Sequence, residues 1–331
     1  MSTKIAVIGG GSWGTALTKI LMTNGYQVHW YVHSEASLKH LTCYGRNLNY
    51  LNQVQFDLTK VHPTTSISEA CESCDTIIIA APSIYVVDIL KPVANELTQK
   101  TVVSAVKGIV PQSGLLVGEH LTKKLGIPLE QIAVITGPCH AEEVALEKQS
   151  YLTIAAEQKP MAKKIAALLA CSFIKVNTTD DIMGTEYAAV LKNIYAIASG
   201  VAESLDYGDN FQAVLTSNAI REMKRIIDRV HHMKRNINRS AYLGDLLVTA
   251  YSRFSRNRRF GILLGQGYSA EESISQMKMV AEGYHALEAI YQVCNSQEER
   301  LKTPILNCVY QIVYKQKKAE TAFENLAQKL T

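Results

Sequence analysis

Three observations predict an α/β domain on a doubly wound, mostly parallel sheet, followed by an all-α domain. Short Val- and Ile-rich runs without polar alternation recur through residues 1–183, as expected of strands buried on both faces. The segments between those runs carry helical spacing. From about residue 184 strand-like runs nearly vanish and long helical patterns take over.

The elements follow in order. Lys4–Ile8 is the first strand-like run and ends in glycines. Val28–Val32, Thr76–Ala80, Val102–Ala105, Ile132–Ile135, Leu152–Ile154 and Phe173–Val176 continue the series, with Thr15–Asn24 and Met161–Cys171 among the connecting helices. The turn-like Asn177-Thr178-Thr179-Asp180-Asp181 precedes the change of character, giving domains of 1–183 and 184–331. In the second domain helical patterns run over Glu186–Ser204, Ala213–Val230, Tyr242–Tyr251, Ala270–Val280, Tyr284–Cys294 and Pro304–Tyr314.

Composition excludes several classes. At 331 residues with 47% hydrophobic and 19% charged residues, the chain has material for two packed cores and is no disordered tail. Apolar runs such as Ile77–Ala81 fall far short of the ~20 residues a membrane span needs. The start, Met1-Ser2-Thr3-Lys4, leads straight into a strand-like run without the apolar core of an export signal, so a cytoplasmic location is expected. The seven scattered cysteines do not suggest a disulfide framework, and Cys71-Glu72-Ser73-Cys74 lacks the second pair of a zinc site. No metal is expected. Residues 1–183 hold 15 basic and 15 acidic residues, so the net +4 charge sits in 184–331, with basic residues clustered between Arg221 and Arg259. Such a cluster suits nucleic acid or a small anion. Few aromatics interleave with it, which weakens the reading as a single-strand RNA binder.

Gly9-Gly10-Gly11-Ser12-Trp13-Gly14 fits G-x-G-x-x-G. It follows a predicted strand and opens a predicted helix, the context in which glycines let a backbone approach a pyrophosphate. Gly9, Gly11 and Gly14 are the pattern positions, and the first domain is Rossmann-like. The second strand ends at Val32-His33-Ser34-Glu35. No acid stands at His33 or Ser34 to select the ribose 2′-hydroxyl of NAD, and no Arg grips a 2′-phosphate, so use of both NAD and NADP is expected.

Lys192 is the one charge in the apolar run Tyr187–Ala198. It either snorkels to solvent or faces a polar cleft. Desolvation would lower its pKa toward the range of a useful acid or base. Ser255-Arg256-Asn257-Arg258-Arg259-Phe260-Gly261 offers a hydroxyl, guanidinium groups and an amide, which suits a phosphate or a solvated basic face. Lys107-Gly108 and Thr136-Gly137-Pro138-Cys139-His140-Ala141 follow carboxyl ends of strands, where open α/β sheets bind ligands.

Taken in order, the glycine loop with Thr15-Ala16-Leu17, Lys107-Gly108, Thr136-Gly137-Pro138, Leu191-Lys192-Asn193, Gly244-Asp245-Leu246 and Ser255–Gly261 resemble the NAD(P)-dependent glycerol-3-phosphate dehydrogenases of the bacterial soluble type, over almost the whole chain. The resemblance implies reversible reduction of dihydroxyacetone phosphate to sn-glycerol 3-phosphate for phospholipid synthesis, a site between the two domains, and a homodimer. It implies Lys192 as the proton acceptor in alcohol oxidation. Lys107, Gly137, Cys139, Lys192, Asp245, Ser255, Arg256 and Asn257 match substrate-contacting positions. Ser12, Trp13, His33, Lys107, Ala141, Arg256, Val280 and Glu282 match cofactor-contacting ones. The chain departs from the family's usual pattern at Cys139, His140, Ala188-Ala189 and Tyr242. A thiol at 139 is a weak hydrogen-bond partner. A ketopantoate reductase or another β-hydroxyacid dehydrogenase would share the two-domain plan and a helical lysine. A nucleotide-sensing, nucleic-acid-binding protein is the non-enzyme alternative. Replacing Lys192 by Met is expected to preserve the fold, with no unpaired buried charge created.

Overall fold

Chain order in the first 180 residues alternates strand and helix. The computed structural model describes residues 3–277, 281–295 and 300–331. The strands are β1 Lys4–Ile8, β2 Gln27–Tyr31, β3 Val61–Thr64, β4 Thr76–Ile79, β5 Thr101–Ser104, β6 Ile109–Val110, β7 Leu115–Leu116, β8 Ile132–Thr136, β9 Ser150–Ala156 and β10 Ile174–Thr179. The helices among them are α1 Ser12–Thr23, α2 Glu35–Tyr44, α3 Ile67–Glu72, α4 Val86–Leu90, α5 Ala94–Leu97, α6 Val117–Lys123, α7 Ala141–Ala145 and α8 Lys159–Leu169.

Eight of these strands form one sheet in the order β10-β9-β8-β5-β4-β1-β2-β3. β1 pairs in parallel with β2 (Ile5 opposite Val28) and with β4 (Ile5 opposite Thr76). The β2–β3, β4–β5, β5–β8 and β9–β10 pairs are parallel as well, while β8 and β9 run antiparallel. The strand order reverses at β1, so the crevice between β1 and β4 is the switch point where such sheets bind ligands. Ile5, Val7, Ile78, Val103, Ala133 and Ile135 are buried with Leu17, Ile20 and Ile165 in one core. Ala6, Ile8, Ile77 and Ile79, on the opposite face, are buried too, which explains the unbroken apolar runs: both faces of these strands are covered.

Three strands were not legible in the sequence. Val61–Thr64 contains Pro63 and sits at the sheet edge, the place where a proline is tolerated. β6 and β7 are two residues each, too short to show a pattern.

By its internal packing the chain divides into two compact units, Met1–Val106 with Leu115–Ile182, and Lys107–Gly114 with Met183–Thr331. The segment 107–114 thus leaves the strand-rich part of the sequence and packs with the later residues. The later helices are α9 Ile182–Ser204, α10 Gly208–Val230, α11 Asp245–Tyr251, α12 Arg256–Gly265, α13 Ala270–Gln276, α14 Glu282–Asn295, α15 Pro304–Lys315 and α16 Ala319–Ala327. The pattern read as one helix over Tyr242–Tyr251 is a π-turn, Ser240–Gly244, followed by α11. The pattern read over Ala270–Val280 ends its helix at Gln276. α12 and α16 were not anticipated; α12 opens with the basic run Arg256–Arg259, and its buried Asn257, Phe260, Gly261, Leu264 and Gly265 recur at helical spacing.

α9 and α12 cross in backbone contact. A Cβ on Gly200 would lie 2.0 Å from the Arg258 carbonyl oxygen, and one on Gly261 would lie 2.0 Å from that of Ile197. Only glycine permits this approach, and it fixes the start of α12 relative to the middle of α9. Among the described residues no helix is long and apolar enough to cross a membrane.

Candidate active site

The glycine loop leaves the carboxyl end of β1. Gly9 has φ +131°, and a Cβ there would meet the backbone of Ala80 at 2.8 Å. A Cβ on Gly14 would meet the Gly9 carbonyl oxygen at 2.0 Å. Gly11 is different: a Cβ there would meet nothing within 4 Å. It is the N-cap of α1, whose first turn carries no acid. A tight turn that opens onto uncovered glycine and a helix N-terminus fits a pyrophosphate, because first-turn N–H groups lack intrahelical partners and the dipole favours an anion. Ser12 and Trp13 form that first turn.

His33 lies just beyond β2 and is exposed. Ser34 caps α2 by accepting a hydrogen bond from the Ser37 amide at 3.2 Å. Glu35, the nearest acid, accepts the Thr65 hydroxyl at 2.6 Å. Gly137 follows β8 with φ +105°, and a Cβ there would meet the Tyr151 carbonyl oxygen at 2.9 Å, so the returning β9 can pass close beside it. Cys139 is buried, and Ala141 begins α7. All of these residues belong to the first unit.

The second unit gathers the titratable residues. The Lys192 ammonium donates to Asp245 Oδ1, and the two residues are 5% and 1% exposed. Lys192 therefore does not snorkel; it faces a buried carboxylate from α11. Burial pushes its pKa down to about 8, with Asp245 pulling upward and the nearby Lys107 ammonium pushing further down. Asp245 Oδ2 is buried with no hydrogen-bond partner among the described residues. A buried carboxylate oxygen without a partner is the exception in folded proteins. Asn193, the neighbour of Lys192, donates to the Lys107 carbonyl oxygen at 3.1 Å and so ties segment 107–114 to α9.

Ser255 is the N-cap of α12 and accepts from the Arg258 amide at 3.3 Å. Its hydroxyl thus has a structural task beside the one anticipated. Arg256 is exposed at the first helical position, whereas Arg258 is paired with Glu203. Asn257 is buried, and its Oδ1 accepts the Gly283 amide at 2.9 Å. That bond engages the amide's acceptor, which leaves Nδ2 as its donor end. Glu282 opens α14 next to this contact. Val280 lies outside the described residues.

Lys107, Lys192 and Asp245 are thus brought together, as are Asn257 and the start of α14. Sequence reasoning gave no role to Asn193, Gly283, or the residues that hold the glycine loop, Trp30 and Asn47. None of them shows a periodicity that would single it out. The Cys71-x-x-Cys74 pair is buried, and desolvation pushes the two thiols up to about 12 and about 11, so they are protonated and inert at neutral pH.

Comparison with known proteins accords with this geometry. Residues 4–162 match the model of the NAD-dependent glycerol-3-phosphate dehydrogenase N-terminus, and residues 181–324 match that of its C-terminus. The chain is 34% identical over 325 residues to a glycerol-3-phosphate dehydrogenase (NAD(P)+) of Bacillus subtilis (strain 168), covering 98% of this chain and 93% of that one. A crystal structure of glycerol-3-phosphate dehydrogenase from Coxiella burnetii superposes with a TM-score of 0.89 at 26% identity, covering 98% of this chain and 99% of that one. A PanE/ApbA family ketopantoate reductase from Ralstonia eutropha JMP134 shares the fold alone, at TM-score 0.61 and 14% identity over 98% of this chain and 100% of that one. The chain therefore belongs to the NAD-dependent glycerol-3-phosphate dehydrogenase family and is an oxidoreductase that uses NAD or NADP.

Proposed function

We propose that this chain interconverts dihydroxyacetone phosphate and sn-glycerol 3-phosphate, with Lys192 as the group that moves the proton. The observation that carries this reading is the buried Lys192–Asp245 pair, with its second carboxylate oxygen unpartnered, in the same unit as the exposed Arg256 at the start of α12.

The dinucleotide, when bound, supplies the hydride for ketone reduction and takes it back in alcohol oxidation. Gly9, Gly11, Ser12, Trp13 and Gly14 would hold its pyrophosphate, and His33, Lys107, Ala141, Arg256, Val280 and Glu282 would be further contacts. As hydride reaches the carbonyl carbon, the oxygen gathers negative charge, and the Lys192 ammonium gives it a proton. In oxidation the neutral amine takes that proton back. A pKa near 8 lets the lysine serve in both directions around neutral pH. Asp245 orients the ammonium through Oδ1 and accepts a substrate hydroxyl through Oδ2. Arg256, Asn257 and Ser255 grip the phosphate at the start of α12, which converts remote binding energy into alignment. Lys107 adds positive charge beside the reacting oxygen. Gly137 lets the substrate approach the backbone, and Cys139 contributes a weak contact at most.

Residues 1–183 act as the dinucleotide-binding domain and 184–331 as the substrate-binding domain. The enzyme works in the cytoplasm as a homodimer and supplies glycerol 3-phosphate for phospholipid synthesis. Steady-state assays with dihydroxyacetone phosphate and with ketopantoate, each with NADH and NADPH, test the reading. Turnover of dihydroxyacetone phosphate with both cofactors is expected. Preference for ketopantoate would overturn the substrate, and an NADH preference beyond about a hundredfold, or about 2.7 kcal/mol, would overturn dual cofactor use.

A further inference from the structure

Three consecutive carbonyls of the glycine loop are held by side chains from the protein side. Trp30 Nε1 donates to the Gly9 oxygen at 3.0 Å. Asn47 Nδ2 donates to the Gly10 oxygen at 2.9 Å and to Thr15 Oγ1 at 2.8 Å. Thr15 Oγ1 in turn donates to the Gly11 oxygen at 2.8 Å, beside the Thr15 amide, which donates to the same oxygen at 2.9 Å as the first bond of α1. Asn47 is 1% exposed, and its Oδ1 accepts the amides of Asn49 at 3.0 Å and Tyr50 at 3.2 Å. Both donors and both acceptor sites of this side chain are therefore in use, which leaves it one orientation.

The consequence follows from peptide geometry. In a trans peptide the C=O of one residue and the N–H of the next point in opposite directions. The described chain has no cis peptide bonds. Carbonyls of Gly9, Gly10 and Gly11 turned toward Trp30, Asn47 and Thr15 direct the N–H groups of Gly10, Gly11 and Ser12 the other way. At Gly11 itself a Cβ would meet nothing within 4 Å, so the loop is uncovered there.

We propose that Asn47 is a positioning residue for dinucleotide binding, which acts directly on Gly10 and through Thr15 on Gly11 to present a row of backbone N–H groups to the pyrophosphate. The proposal deepens the cofactor role given to loop 9–14 and rests on it. Without Asn47 the Gly10 peptide is free to rotate, and a carbonyl oxygen can then face the phosphates.

Asn47→Asp tests this selectively. An aspartate keeps the acceptor for the Asn49 and Tyr50 amides but loses the donors to Gly10 and Thr15. Thr15→Val cuts the relay without adding charge, and Thr15→Ser keeps the hydroxyl. NADH binding is measured by fluorescence titration without substrate. Asn47→Asp and Thr15→Val are expected to raise the NADH Kd about ten- to a hundredfold, the worth of one or two charge-assisted hydrogen bonds. Thr15→Ser is expected to bind NADH close to the parent. The double variant is expected to bind little worse than the weaker single one, because both act through one relay. With NADH saturating, kcat and the KM for dihydroxyacetone phosphate stay within about threefold of the parent, since only cofactor binding is disturbed.

Equal losses in kcat and in NADH affinity, or NADH affinity within about threefold of the parent in both variants, would overturn the proposal. If Asn47→Asp does not fold, the Thr15→Val and Thr15→Ser pair decides alone. Ser12→Asp separates the two levels of inference, because it places a carboxylate at the pyrophosphate side. Unchanged NADH binding there would remove the loop's role and the proposal with it. Weakened binding there, with Asn47→Asp and Thr15→Val unaffected, would remove the relay and leave the loop's role standing.

Discussion

Lys192 and Asp245 form an ion pair that is sealed from solvent, and only one of the two Asp245 carboxylate oxygens takes part in it. A buried pair of this kind is costly to break from one side, because the charge left behind has no compensation. The sequence-based expectation that Lys192→Met creates no unpaired charge is therefore corrected. That variant leaves the buried Asp245 carboxylate without its ion-pair partner, at a cost of about 3–5 kcal/mol.

The informative variant is Lys192→Met combined with Asp245→Asn. It removes the proton donor without a stranded carboxylate, so its melting temperature should stay nearer the parent than that of Lys192→Met alone. Turnover should fall by about 10²–10⁴-fold while NADH binding is retained. A folded double variant within about threefold of parental turnover would take Lys192 out of the mechanism and leave Lys107 as the next candidate.

The pH dependence has a definite sign. With Lys192 as the proposed acid in reduction, kcat for ketone reduction should decline as pH rises through about 8. Oxidation needs the neutral amine and should gain over the same range. Asp245 holds the ammonium form up. Asp245→Asn should therefore move the limb to lower pH, and a limb moved to higher pH would contradict the assignment.

Arg256→Lys replaces a planar fork by a point charge. With dihydroxyacetone phosphate, kcat/KM should drop about 10- to 100-fold, the range of a charged hydrogen bond. Unphosphorylated dihydroxyacetone should show a much smaller loss. Equal losses with the two substrates would place Arg256 away from the phosphate.

Gly261 and Gly11 should respond oppositely to alanine. At Gly261 the new methyl would sit 2.0 Å from the Ile197 carbonyl oxygen, so α9 and α12 must separate. A loss of about 3 kcal/mol, or roughly 6–12 °C in melting temperature, is expected. At Gly11 the methyl meets nothing within 4 Å, so stability should change by less than about 0.5 kcal/mol while NADH binding weakens. Calorimetry and NADH titration on both variants check the pair.

Glu222 gives a second pH signature, in stability. It is fully buried, accepts the Ile305 and Leu306 amides at 2.9 Å, and burial pushes its carboxyl from 4.5 up to about 7 despite those bonds and Arg225. The folded state thus holds a proton that the unfolded state has lost. That contribution is full below pH 4.5 and is lost as pH rises through 7, by about 3 kcal/mol in total. Glu222→Gln should flatten the decline of melting temperature across pH 4.5–7. An equally steep decline in that variant would show that another group is responsible.

The sequence alone determined the alternation of strands and helices, the switch to helices near residue 184, and the glycine loop at the end of the first strand. These are local properties: Ile77-Ile78-Ile79 is apolar on both faces because both are covered, and Gly9 and Gly14 are required by the turn itself. The sequence also placed Lys192 in an apolar helix, but left open whether its ammonium reached solvent. Only the tertiary structure decided that, because Asp245 is 53 residues away and no periodicity links α9 to α11. The same holds for Asn47, which reaches the glycine loop across 37 residues, and for α12, whose place is set by contact of Gly200 and Gly261 with a neighbouring backbone. Spacing along the chain reports which face of an element is buried; which partner waits on that face depends on long-range packing, and local pattern carries no record of it.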